Sequence, residues 1–118
     1  MGQSELMARL EAYGADVKGI DERFLGDREL FERCLEEFMG ETSFADLERS
    51  LADTRYEDAF LAAHTLKGVS GNLGLVPFYD AICTLVESLR AKDFSHVEAE
   101  NEEVQRQYQR LTALVSSK

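Results

Sequence analysis

Apolar residues recur at spacings of three and four along most of the chain, and no segment alternates with a period of two. The pattern predicts helices throughout and no sheet. Leu6, Met7 and Leu10 mark a short N-terminal helix from Ser4 to Ala12, which Gly14 ends. Val17, Ile20, Phe24 and Leu25 mark a second short helix from about Asp16 to Leu25, stopped by Gly26. Asp27 is a good N-cap for a helix that carries Leu30, Phe31, Cys34, Leu35 and Phe38 as far as Met39. A shorter helix over Thr42–Ala52 presents Phe44, Leu47 and Leu51. Thr54 with Glu57 reads as a capping box for a helix running to about Gly71. Pro77 suits the first position of a helix that continues to Lys92. Ser95 with Glu98 reads as a second capping box, opening a last helix to about Val115.

Long helices joined by short turns predict an all-α fold, an up-and-down antiparallel four-helix bundle with extra short N-terminal helices. The long members are expected at Asp27–Met39, Thr54–Gly71, Pro77–Lys92 and Ser95–Val115. Thr42–Ala52 either extends the bundle or leads into it. The 118 residues are expected to form one domain, 1–118.

Composition narrows the function classes more than the fold. A hydrophobic content of 44% beside 31% charged residues is that of a soluble chain. Its apolar runs are too short for a membrane span, and no secretory leader is visible at the N-terminus. A cytoplasmic protein is therefore expected, and Met1 with the absence of a linker favours a free-standing one. The net charge of −10 argues against nucleic acid and anionic membranes as partners. Cys34 and Cys83 sit on apolar stripes and read as buried thiols.

One stretch departs from helix propensity. Ala63-His64-Thr65-Leu66-Lys67-Gly68-Val69-Ser70-Gly71-Asn72-Leu73-Gly74 places two glycines inside a helix, each at a cost of about 1 kcal/mol against Ala. Leu61, His64, Gly68 and Gly71 fall on one stripe, while Ala59, Phe60, Ala63, Leu66, Ser70 and Leu73 form the apolar stripe beside it. Lys67, one turn beyond His64, can bring its ammonium to the same spot. An accessible imidazole, a cation in reach and bare backbone suit attack on a phosphoryl group at a protein surface. A metal site would need further ligands one turn away, and none is there. A hydrolytic triad would need a nucleophile held by His64, and Ser70 and Thr65 lie on other faces. His96 has neither Lys at i+3 nor Gly at i+4 and reads as an exposed first-turn residue.

These twelve residues resemble the signature of the histidine-containing phosphotransfer (HPt) domains of two-component phosphorelays, His-x-Leu-Lys-Gly-x-Ser-x-x-Leu-Gly, at every fixed position. Phe24 to Leu30 also resembles that family's helix–Gly-Asp–helix segment, and the likeness spans roughly Gly14 to Lys92. The resemblance implies that His64 is the phosphoacceptor, Lys67 the phosphate-stabilising cation and Gly68 the residue that clears space for a partner. Leu61 and Gly71 are candidate docking contacts on the same stripe. Ser70 and Asn72 are expected to act only through local hydrogen bonds. Phe24 and Leu25 either flank the phosphohistidine face or belong to the core.

The implied activity is phosphoryl relay between aspartates of response-regulator receiver domains, with a hybrid sensor histidine kinase as a further partner and the chain itself a monomer. No cofactor is expected on this chain, and Mg²⁺ is expected on the receiver. The chain has no phosphate-cradling Gly-rich loop or Walker pattern, so ATP-dependent kinase activity is not expected and the protein acts as a phosphocarrier. A docking or adaptor module that binds receivers without transfer is the alternative. Free imidazole titrates near pH 6.5, so neutral nucleophile dominates at neutral pH, and transfer is expected to weaken below about pH 6.

Overall fold

The computed structural model describes residues 4–116 and contains seven helices. These are α1 Ser4–Tyr13, α2 Val17–Arg23, α3 Arg28–Met39, α4 Ser43–Ala52, α5 Tyr56–Asn72, α6 Val76–Arg90 and α7 Val97–Ser116. No strand occurs among the described residues. Consecutive helices α4 to α7 lie side by side through short turns, giving the antiparallel up-and-down bundle. The Thr42–Ala52 ambiguity is resolved here. Small residues on both partners (Ser43 and Ser50 of α4, Ala59, Ala62 and Ala63 of α5) are buried and let α4 pack closely along α5. α3 stands further out, because Phe31, Leu35 and Phe38, all buried, fill the space beneath it. Phe38, Phe44 and Phe78 meet edge to face at centroid separations of 5.2 to 5.8 Å, tying α3, α4 and α6 together.

Side-chain caps form at some helix ends and not at others. Asp16 and Asp27 cap α2 and α3, their carboxylates accepting from the Gly19 and Leu30 amides. The two Ser/Thr capping boxes do not form. Thr54 takes a left-handed φ of 53° and belongs to the close of α4, where the Arg55 amide donates to the Ser50 carbonyl at 2.8 Å. Its hydroxyl turns to its neighbour's carbonyl, that of Asp53, and α5 begins after Arg55. Ser95 likewise donates its hydroxyl to Asp93 at 2.7 Å, and α7 begins at Val97. That hydroxyl holds the Asp93 carboxyl below its ordinary range. Leu25 and Lys92 also take left-handed φ, 54° and 58°, at the ends of α2 and α6. α2 therefore stops at Arg23, two residues short of expectation, and α6 stops at Arg90. Pro77 is the second residue of α6, after Val76. Cys34 and Cys83 are free and half-buried rather than buried.

α1 is fastened to α7 by polar as well as apolar contacts. The Arg9 guanidinium donates to the Leu114 carbonyl at 3.2 Å, and the buried Tyr13 hydroxyl donates to Gln107 Oε1 at 3.0 Å. Burial pushes the Tyr13 phenol up to about 12, against the opposing pull of the Arg110 guanidinium over its ring. The folded state thus favours the protonated phenol. That contribution is complete below pH 10, where the unfolded chain is also protonated, and is lost as pH rises through 10 towards 12. We expect stability to fall by about 2 kcal/mol over that interval, and Tyr13→Phe to flatten the slope in urea titrations at pH 9 to 11.5.

Candidate functional site

α5 owes its geometry to neighbours on two sides. Ala59, Ala62, Ala63, Leu66 and Ser70 are buried, so the inner surface is wider than the expected stripe and includes Ala62. Leu61, His64, Thr65 and Gly68 remain on the outer face, all exposed. Leu61 is 63% exposed and stands as a ridge between two surface grooves. One groove, of about 330 Å³, lies towards α4 and is lined by Ser43, Arg49, Asp58 and Thr65. The other, of about 400 Å³, lies towards α6 and is lined by Tyr56, Phe60, Leu89, Arg90 and Phe94.

His64 is thus held by the backbone on an open face, with Lys67 half-buried one turn on. Among the described residues, the side-chain hydrogen bonds of α5 belong to Asp58, Thr65 and Ser70. Those of Thr65 and Ser70 return to the helix backbone, at Leu61 and Lys67, each at 3.2 Å. Neither His64 nor Lys67 is engaged in a hydrogen bond or ion pair there. Lys67 is half-buried, and its ammonium pairs with none of the described residues.

The two glycines of the stripe separate sharply. A Cβ built on Gly68 meets nothing within 4 Å, so the fold has no use for a glycine at this point. A Cβ on Gly71 would meet the Tyr79 ring at 2.9 Å. Gly71 is therefore explained inside the chain, as the seat of a ring from α6, rather than as a docking contact. Gly74, with φ of 68°, ends the segment, and its carbonyl accepts from the Asp16 amide at 2.9 Å. Asn72 closes α5 through its carbonyl, which accepts from Arg23 at 2.9 Å, and its side chain caps nothing. Phe24 joins the core edge to face against Phe31 at 5.4 Å, while Leu25 is 92% exposed. His96 is exposed, immediately before α7.

Sequence reasoning missed the aromatic neighbour of the imidazole. Phe60 was placed on the apolar stripe, yet its half-buried ring meets the His64 ring edge to face, with centroids 5.7 Å apart and planes at 86°. The i, i+4 spacing was the available signal. The Arg90 guanidinium, across from α6, lies 5.6 Å from the same phenyl centroid, which no spacing rule could have shown.

Among the described residues no group of three or more His, Cys, Asp or Glu side chains is placed to hold a metal ion, and no helix is long and apolar enough to cross a membrane. Compared with known proteins, residues 29–115 match the family model described as the Hpt domain. No curated protein matches the chain. No solved structure matches it.

Proposed function

The chain belongs to the Hpt domain family, the histidine phosphotransfer modules of two-component systems, and from that membership we propose that it relays a phosphoryl group between receiver-domain aspartates through His64. The observation that carries this reading is an exposed imidazole on the outer face of α5, inside the matched span and one turn from a free lysine and an unobstructed glycine. An unprotonated imidazole nitrogen of His64 attacks phosphorus in line. The bond between phosphorus and the receiver's aspartyl oxygen breaks, the carboxylate leaves, and phosphohistidine forms. The reverse sequence loads a second receiver. Hpt domains carry phosphate rather than draw it from ATP, so this chain supplies nucleophile and positioning, while the receiver supplies Mg²⁺ and the acidic pocket.

Lys67 is assigned to the phosphoryl oxygens. Its half-buried stem limits how far the ammonium strays, and the added charge of phosphohistidine meets a cation. Because the head group is solvated, its contribution is that of a surface charge pair. Lys67→Gln is expected to slow transfer into His64 by about threefold to fivefold, with less effect at high salt. Lys67→Arg should restore part of the rate.

The test is transfer itself. Purified protein is mixed with a panel of phosphorylated receiver domains and Mg²⁺, and acid-labile, base-stable phosphate on this chain is scored. Label that passes on to a second receiver establishes the relay. Tight binding to receivers without label would replace it with the docking module.

A further inference from the structure

Resting on the phosphocarrier reading of His64, we propose that Phe60 is a positioning residue for the reacting imidazole and that Arg90 steadies Phe60 from α6. Imidazoles in working sites are commonly oriented by a hydrogen bond to the second ring nitrogen. Among the described residues the side-chain hydrogen bonds of α5 are made by Asp58, Thr65 and Ser70, and none reaches His64. Packing must then do the orienting, and the neighbours one turn away on either side can be compared. Leu61 is largely in solvent, Gly68 has no side chain, and Lys67 is a flexible stem. Phe60 alone among them is a rigid ring anchored against the core. It lies across the His64 ring at 86° and 5.7 Å.

Phe60 is itself restrained. The Arg90 guanidinium sits 5.6 Å from its centroid, and Arg90 also donates a 2.6 Å hydrogen bond to Glu87 one turn earlier on α6. The line Glu87, Arg90, Phe60, His64 crosses from one bundle helix to the next. It limits the staggered conformations open to the imidazole and keeps one nitrogen facing outward. In-line attack depends on such alignment, so an imidazole that samples several rotamers spends less time in a reactive pose.

A small phosphoryl donor separates this role from partner docking. With phosphoramidate, one P–N bond breaks, a new P–N bond to the imidazole forms and ammonia leaves, with no receiver involved. Phe60→Leu, Phe60→Tyr and Arg90→Gln are compared with the wild type, all in the full chain. Each is followed by the phosphorylation rate and by NMR of labelled His64. Phe60→Leu is expected to average the His64 side-chain rotamers, remove the ring-current shift and slow phosphorylation by about tenfold. Phe60→Tyr should stay within about twofold of the wild type, and Arg90→Gln, which leaves the core intact, should fall between. A Phe60→Leu protein phosphorylated at the wild-type rate would overturn the proposal, as would a Phe60→Tyr protein as slow as Phe60→Leu. Should Phe60→Leu not fold, an Arg90→Gln protein with an unchanged rate and unchanged His64 rotamers would overturn it equally. A wild type that takes phosphate from phosphoramidate but exchanges it with no receiver would sink the relay reading, while the comparison among variants would still decide the role of Phe60.

Discussion

His64→Gln is expected to remove all acid-labile, base-stable phosphate from the chain and to leave its fold nearly unchanged. The two halves of this expectation rest on different observations. Chemically, Gln offers an amide in place of a nucleophilic nitrogen, and the structure places no substitute on the outer face of α5, where Leu61, Thr65 and Gly68 are the neighbours. His96, the other histidine, lies just before α7, outside α5. Transfer should fall at least a thousandfold, to the background of the assay. Structurally, His64 is exposed, and its ring meets Phe60 edge to face. A surface substitution of this kind costs about 0.5 kcal/mol or less, so the melting temperature should move by no more than a few degrees. Phosphate retained by the variant would place the acceptor elsewhere. A variant that unfolds would make His64 a structural residue and remove the reading that its exposure supports.

Gly68→Gln should separate stability from transfer. A side chain at this position enters open space, and replacing an interior helix glycine by Gln gains roughly 0.5 kcal/mol of helix propensity. The folded chain should therefore become slightly more stable. Its function should suffer in proportion to how closely a protein partner must approach. A displacement of about 1 Å at the reacting atoms can cost a hundredfold, and a loss of that order is expected for transfer from a phosphorylated receiver. Phosphoramidate, which needs no such approach, should still label His64 within about threefold of the wild-type rate. Equal losses with both donors would mean that the new side chain disturbs the imidazole itself. No loss with either would leave Gly68 without a role in partner approach.

These variants also show how far the site was legible. His64, Lys67 and Gly68 were legible as candidates because helical spacing gathers i, i+3 and i+4 on one side of a helix and because the residues around them carry the Hpt signature. The burial pattern of α5 then followed from the spacing of apolar and polar residues, apart from Ala62, whose inward position depends on the approach of α4, and Phe60, which is only half-buried. The two glycines could not be told apart. Gly68 and Gly71 lie three residues apart on the same stripe, and only the ring of Tyr79, brought in by α6, gives Gly71 a reason within the fold. The coupling of Arg90 to Phe60 was equally hidden, since thirty positions of chain separate them.

The helix ends carry the same lesson at the level of local structure. Asp27 capped α3 as its residue type suggests, whereas Thr54 and Ser95 each matched a capping pattern and neither formed one. In both cases the preceding helix or turn claimed the residue first. The close of α4 needed a left-handed residue where Thr54 stands, and the turn after α6 used Asp93 to hold Ser95. Four-residue patterns record what a segment can do, while the preceding helix or turn decides what it does.

The sequence by itself determined that the chain is helical, that it carries the Hpt signature around His64, and which face of its helix His64 would occupy, because helix periodicity and side-chain chemistry are local properties. Only the tertiary structure decided that α4 rather than α3 packs along α5, that Gly71 faces the Tyr79 ring while Gly68 faces open space, and that the Phe60 ring lies between the His64 imidazole and the Arg90 guanidinium. Those outcomes depend on which surfaces meet when the bundle closes, and the close fit of small residues and rings between helices is set jointly by segments far apart in the chain.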